Sequence, residues 1–249
     1  MITQQTETVY QSGSVANRVS IVIALYNYER HIAETLDSVA RQTSRDVSII
    51  VVDDRSTDNS LDTAAVWMRH NRHPQLGMLL LSHRENAGAS IARNTGIAAA
   101  RSEFCFILDA DNLLYPRCIE KHLAALDTRS DAAAAYSLIE VFEGDRELFG
   151  AGVFAEEGLI HGNFIDIMAM YRRSALLGLN GFEKIKYGWE DYDLWLRLLE
   201  SNAIALHIPE ITARYRHHHS SITRTEQNST NVLDLHKEMS RRHPQLRLH

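Results

Sequence analysis

Two aspartates spaced two apart close an apolar run, Phe104-Cys105-Phe106-Ile107-Leu108-Asp109-Ala110-Asp111-Asn112. In an extended segment residues i and i+2 point the same way. Asp109 and Asp111 would then present two negative charges side by side at the edge of a sheet. Such a pair is unfavourable unless a hard divalent cation sits between it and an anion, typically a diphosphate. Three other clusters have reactive composition. Asp53 and Asp54 end a second buried run. Arg84 and Arg93 flank Asn86-Ala87-Gly88, where a helix amide end would favour an anion. Trp189-Glu190-Asp191-Tyr192-Asp193 sets three carboxylates at a helix start, where they either complement the helix dipole or supply a general base.

These clusters fall at the ends of short, regularly placed elements. Val19–Leu25, Val47–Val52, Met78–Leu81 and Phe104–Leu108 are β-branched or apolar runs of strand length. Helical spacing separates them: Ile32 to Gln42, a helix capped by Asp58 and carrying Leu61, Ala65 and Met68, and Ile91 to Ala100. Strands alternating with helices imply right-handed crossovers and a mostly parallel sheet. Polar loops after all four strands then gather at the carboxyl edge, where open α/β sheets bind ligands. Beyond Asp111 the spacing predicts a helix over 116–126, extended segments over 132–142 and 148–154, and a loop over 158–166. It further predicts helices over 168–177 and 190–200, extended pieces at 203–208 and 211–215, and a closing amphipathic helix over 225–243.

The 249 residues carry a formal net charge of −6, which removes any global positive field that would draw the chain to nucleic acid. No apolar stretch approaches the ~20 residues of a membrane-spanning helix. Residues 1–17 are polar and read as a loose, flexible N-terminal arm without an apolar signal core. Of the two cysteines, Cys105 lies inside an apolar run, which favours reduced thiols and a cytoplasmic setting. One domain over 18–224 is the simplest organisation, with a ligand-binding half to residue 112, a second half from 113, and the closing helix after it.

Taken in order, Val19–Asn27, Val51-Val52-Asp53-Asp54-Arg55-Ser56-Thr57-Asp58, Asn86-Ala87-Gly88 with Ala92-Arg93-Asn94, Leu108-Asp109-Ala110-Asp111 and Gly188-Trp189-Glu190-Asp191-Tyr192-Asp193-Leu194 resemble the family 2 nucleotide-sugar glycosyltransferases. The resemblance covers roughly residues 19–221. It implies a GT-A fold, an α/β architecture with a Rossmann-like, mostly parallel central sheet, flanking helices and a C-terminal acceptor-side region. It also implies transfer of a sugar from a nucleoside diphosphate to an acceptor hydroxyl with inversion.

By that resemblance Ala24, Tyr26, Asp53, Asp54, Arg84, Arg93 and Asp109 would contact the nucleotide. Ala24 stands where the family often has proline or a small hydroxyl residue. Asp111 would bind Mn²⁺ or Mg²⁺ directly, with Asp109 meeting the metal through water or the ribose. Asn112 replaces a third acidic residue common in the family. Asp191 would deprotonate the acceptor, positioned by Glu190, and Trp189 and Asn163 would face the sugar or acceptor. Arg214-Tyr215-Arg216-His217-His218-His219-Ser220-Ser221 resembles a late family segment whose register selects His218 as a further metal ligand and Arg216 as a diphosphate contact. Alternate strand residues face opposite sides, so the three successive histidines cannot share one metal. The local turn reading of Asp53, with Ser56 and Thr57, stands beside the nucleotide one.

The partners implied are a nucleoside-diphosphate sugar, with a UDP-sugar favoured, and a glycan, lipid-linked or protein acceptor. A lipid-linked acceptor would bring peripheral membrane contact through the closing helix, with Lys237, Arg241 and Arg242 on its polar side. Its simpler reading is an ordinary packed helix. Two other functions compete: a sugar nucleotidyltransferase and a catalytically silent nucleotide-sugar-binding subunit. The first needs a basic, glycine-rich loop where this chain has Tyr26-Asn27-Tyr28-Glu29-Arg30. The second is disfavoured by the joint presence of Asp109, Asp111 and Asp191.

Overall fold

The computed structural model describes residues 1–72, 76–144, 147–186, 188–217 and 229–248. β1 (Thr6–Ser12), β2 (Val19–Leu25), β3 (Val47–Asp53), β4 (Gly77–His83) and β5 (Phe104–Asp109) form one half of a ten-stranded sheet. Apart from β1, these strands run parallel in the order β4-β3-β2-β5. Parallel strands covered on both faces read as unbroken apolar runs, and β3 and β4 are buried at every position. Helices α1 (Ile32–Ala40), α2 (Ser60–His70) and α3 (Ala89–Ala99) make the crossovers. After β4 the chain returns to the far side of β2 to form β5, so the strand order reverses between β2 and β5. A crevice opens at such a reversal, outside the carboxyl ends of the strands.

The rest of the sheet is mixed. β6 (Leu113–Leu114), α4 (Cys118–Thr128), β7 (Ala132–Phe142), β8 (Leu148–Phe149), α5 (Glu156–Leu159), β9 (Met170–Arg172) and α6 (Arg173–Gly178) follow β5. Then come α7 (Glu190–Glu200), β10 (Ile204–Arg216) and α8 (Ser229–Arg242). The order continues β5-β9-β7-β10-β6, with β9 antiparallel to both its neighbours and β10 parallel to β7. A single sheet therefore carries both halves of the chain.

Several elements differ from the sequence reading. The supposed loose arm contains β1, which pairs antiparallel with β4 and caps the parallel edge. Only Tyr10 of this strand is buried, so backbone pairing holds it and no apolar alternation announces it. Met168–Leu177 is not one helix: a three-residue strand between β5 and β7 precedes a short helix, because a brief apolar run carries no clear period. The returning strand shrinks to Leu148–Phe149. The two extended pieces after α7 are one strand, with a bulge at Pro209-Glu210 where Ile208 and Ile211 pair with consecutive residues of β7. Asp58 lies one position before the N-cap of α2, Asn59, and accepts instead from the Ser60 N–H at 2.9 Å.

Close packing fixes α3 against the sheet. A Cβ on Gly96 would lie 2.4 Å from Val22 Cγ1 and 3.4 Å from Val52 Cγ2. Gly96→Ala should therefore cost about 1–3 kcal/mol by overpacking. Urea unfolding measures this; an unchanged midpoint would contradict the packing.

Candidate active site

A cavity of about 770 Å³ opens at the switch point between β2 and β5. Ala24, Tyr26 and Tyr28 line it from the end of β2, Asp109 and Asp111 from the end of β5, and Arg93 from α3. Asn163, Asp166, Trp189, Glu190 and Asp191 line it from the second half of the chain. The structure thus brings together most of the residues the sequence singled out, from segments more than 80 residues apart.

β5 ends at Asp109, and Asp111 sits in the turn that follows, closed by the Asn112 N–H on Asp109 O at 3.3 Å. The two carboxylates are therefore not related by strand alternation, yet both face the cavity. The Tyr28 hydroxyl donates to Asp111, and burial together with Asp111 and Asp109 keeps that phenol protonated. Asn112 is buried, and its Oδ1 accepts the Arg216 N–H at 2.8 Å. Arg216 donates through Nε to Asp111 O at 2.9 Å and pairs with Glu34 and Glu143. Arg216 is therefore committed to holding the aspartate turn against β10, not to a diphosphate. His218 lies outside the described residues.

Arg93 is 6% exposed and joins the two halves of this lining. Its Nη2 donates to Asp109 at 2.8 Å and its Nη1 to Glu190 at 2.6 Å. Burial opposes its charge, but the two carboxylates outweigh that cost and raise its pKa. A guanidinium so engaged is not a free cation awaiting phosphate. Arg84 is exposed, away from the cavity, its Nη1 3.4 Å from Gln5 Oε1.

The Asp53-Asp54 pair divides differently from expectation. Asp53 is buried outside the cavity lining and accepts from Ser56 N–H and Ser82 Oγ, the local turn role. Asp54 reaches the cavity wall, yet both its oxygens serve the fold. Oδ1 meets His83 Nδ1 at 2.7 Å and the Ala87 N–H at 2.9 Å, while Oδ2 takes the Gly88 N–H at 2.7 Å. Gly88 has φ 98°, and the nearest atom a Cβ would meet is 3.7 Å away on Lys184. The left-handed backbone, not a close approach, requires the glycine.

Asp191 opens α7 beside Trp189, which holds a left-handed backbone at φ 68°. That conformation is unusual for a bulky residue. Trp189 is held edge-on by Tyr192 and His236, with ring centroids 5.6 and 4.9 Å away. Asn163 Nδ2 donates to Asp191 Oδ2 at 2.9 Å, so Asn163 supports the carboxylate directly. Burial, with Glu190 adding to it, pushes Asp191 up to about 7. The helix N-terminus would favour its anion, but desolvation wins. Asp193 behaves oppositely: Arg197, Arg242 and His243 overcome its burial and hold it down at about 2.

Asp166, Phe149, Phe164 and Glu147 also line the cavity, and no motif in the sequence singles them out. Asp166 did leave a trace, as the single carboxylate in the apolar run Phe164-Ile165-Asp166-Ile167-Met168, where burial is costly. Burial first, then the charge of Asp109, pushes it up to about 8.

A raised carboxyl pKa has a definite sign. Its contribution to stability is complete below the unfolded value near 3.8 and is lost as pH rises through the folded value. Metal-free protein should therefore lose stability between about pH 4 and pH 8, through Asp191 and Asp166. Asp166→Asn should flatten that decline in a thermal-melt series. An equal slope in both proteins would contradict it.

Asp109, Asp111, Asp166, Glu190 and Asp191 face one cavity, and among the described lining residues Arg93 is the single arginine and no lysine joins it. Among the described residues no group of three or more His, Cys, Asp or Glu forms a ready-made metal cage. Mg²⁺-type ions are nonetheless held through one or two carboxylates plus substrate phosphates. Asp111 and Asp109 fit that donor set, and the unbalanced negative charge around them fits a cation.

Both cysteines are free and buried. Among the described residues no helix is long and apolar enough to cross a membrane. On α8, Lys237 and Arg241 are paired with Asp234 and Glu238, while Arg242 turns inward to Asp193 at 2.6 Å. Leu235 and Met239 are buried, so α8 is a packed helix and not a uniformly basic face.

Comparison with known proteins supplies the context for this geometry. A family profile described as "Glycosyl transferase family 2" matches residues 20–178. The Escherichia coli glucosyltransferase WfaP, named as acting from UDP-Glc on α-D-GlcNAc-diphosphoundecaprenol, is 26% identical over 209 residues, 82% of this chain and 79% of WfaP. Staphylococcus aureus TarS, solved with UDP-GlcNAc, superposes with a TM-score of 0.75 at 18% identity, over 90% of this chain and 66% of TarS. Mannosyltransferase PcManGT of Pyrobaculum calidifontis, solved with GDP-Man and Mn²⁺, gives 0.64 at 22% identity, over 80% of this chain and 60% of that one. At those identities the two structures establish the fold. Matched segments span from 26% to 79% of the curated relatives' lengths.

Proposed function

Since the chain belongs to glycosyl transferase family 2, we propose that it moves a sugar from a nucleoside diphosphate to an acceptor hydroxyl by a single, inverting displacement that depends on a divalent cation. The observation carrying this reading is that Asp111 and Asp109 line the same cavity as Asp191.

Asp191 is the base. Its Oδ2 is oriented by Asn163, and a pKa near 7 suits proton removal at neutral pH. As the acceptor oxygen attacks the anomeric carbon, Asp191 takes its proton and the bond to the diphosphate breaks. Asp111, with Asp109, would hold Mn²⁺ or Mg²⁺. That ion supplies Lewis-acid stabilisation of the charge developing on the leaving diphosphate, worth several kcal/mol. Arg93 fixes Asp109 and Glu190 relative to each other and so ties the end of β5 to the start of α7. Tyr26, Asn27 and Tyr28, which line the cavity after β2, would meet the nucleotide.

UDP-sugars are the favoured donors by kinship with WfaP and TarS, and a lipid-linked glycan acceptor is supported by the name of WfaP alone. Glycoconjugate biosynthesis is the corresponding role. The test is incubation of the purified chain with UDP-glucose, UDP-N-acetylglucosamine or GDP-mannose, Mn²⁺ and a panel of glycan and polyprenyl-diphosphate-sugar acceptors. NMR should show a product of inverted anomeric configuration. Retention would rule out direct displacement with Asp191 as base.

A further inference from the structure

Asp166 has no task in the reaction as written. It lines the same cavity as Asn163 and Asp191, half-buried, on the loop entering β9. Its Oδ1 accepts the Met168 N–H at 2.8 Å, which closes a turn and fixes the side chain. No described residue donates to its other oxygen. The carboxylates around it are all engaged elsewhere: Asp109 and Glu190 with Arg93, and Asp191 with Asn163 and the Tyr192 N–H. None of these carboxylates is bonded to Asp166, and a divalent cation held at Asp111 and Asp109 would favour the ionised, acceptor-only form of all of them.

That second oxygen is open to the cavity, so in the free protein water can complete it and in a complex the ligand must. What completes it must be a hydrogen-bond donor that tolerates several neighbouring negative charges. A phosphate cannot approach such a place, whereas a sugar hydroxyl, neutral and donating, can. Of the carboxylates whose charge Asp166 feels, Asp109 at the end of β5 acts more strongly than Asp191, which places it toward the donor. We propose that Asp166 accepts a hydrogen bond from a hydroxyl of the sugar being transferred, and so sets which nucleotide-sugar is selected. This rests on the reaction proposed above.

Asp166→Asn suits the test because the amide oxygen keeps the Met168 N–H bond while the amide nitrogen donates where the free oxygen accepted. Asp166→Ala serves as the second variant, and melting curves confirm that each is folded. Calorimetric titration with Mn²⁺ compares UDP, UDP-glucose, UDP-N-acetylglucosamine, GDP and GDP-mannose. Wild type should prefer one nucleotide-sugar over its bare nucleotide, and both variants should lose that preference by roughly 10- to 100-fold. Affinity for the bare nucleotide should hold. The deoxy-sugar analogue lacking the recognised hydroxyl should bind wild type and Asp166→Ala alike.

Equal preference in wild type and variants overturns the proposal while leaving the reaction in place, and so does a parallel loss of bare-nucleotide binding in folded variants. Discrimination lost only among acceptor analogues also overturns it. A wild-type chain that binds none of these nucleotides defeats the reaction reading itself, and this one with it.

Discussion

Asp191→Asn should lower the rate of sugar transfer by about 10²–10⁴-fold, the range a positioned base contributes, with nucleotide affinity nearly unchanged. The substitution is close to isosteric, and an amide can still accept the Tyr192 N–H that Asp191 Oδ1 now receives at 2.7 Å. It cannot take a proton from an acceptor hydroxyl. The variant should also remove a pH dependence. In wild type the rate should climb as pH rises through about 7, because burial and Glu190 hold Asp191 protonated below that value. Steady-state rates across pH 5 to 9, with nucleotide binding measured in parallel, check both points. A rate profile in which wild type and variant differ by less than about tenfold would remove Asp191 from the chemistry.

Asp111→Ala should abolish cation-dependent nucleotide binding, by at least about 100-fold in affinity, equivalent to ~2.8 kcal/mol. A diphosphate entering a cavity walled by Asp109, Asp111, Asp166, Glu190 and Asp191 meets repulsion that Arg93, already shared between two of them, cannot cancel. A divalent cation reverses the sign locally. The same loss should follow chelation of the wild-type protein, and a chelator should change nothing further in the variant. Nucleotide affinity indifferent to both treatments would falsify the cation's role.

Much of this was legible in the chain itself, for physical reasons that also explain the failures. β2 to β5 announce themselves because parallel strands buried on both faces must be apolar throughout, and each ends where its first carboxylate or polar loop appears. The same rule is silent about β1, which needs only backbone groups, and about β9, which is three residues long. Cavity placement was inferable for Asp109, Asp111, Glu190 and Asp191, whose residue types cluster at element ends. Division of labour was not. Asp53, Asp54 and Arg216 look like ligand contacts in the sequence, yet each spends its hydrogen-bonding capacity inside the protein. Arg93 likewise looks like a phosphate-binding cation until the folded chain sets it between Asp109 and Glu190. Apart from the local Asp53–Ser56 contact, those commitments depend on partners 16 to 182 residues away, and local pattern cannot reveal them. Asp166 shows the reverse: an isolated acid in an apolar run is a signal, but not one whose destination can be read.

Asp193 grips Arg242 and His243 only two positions after the carboxylate assigned as base, while His236 braces the strained tryptophan just before it. The closing helix therefore anchors the start of α7, although none of its described side chains enters the cavity. Loss of Arg242 or His243 would leave Asp193 buried with fewer partners and loosen the turn that carries Asp191.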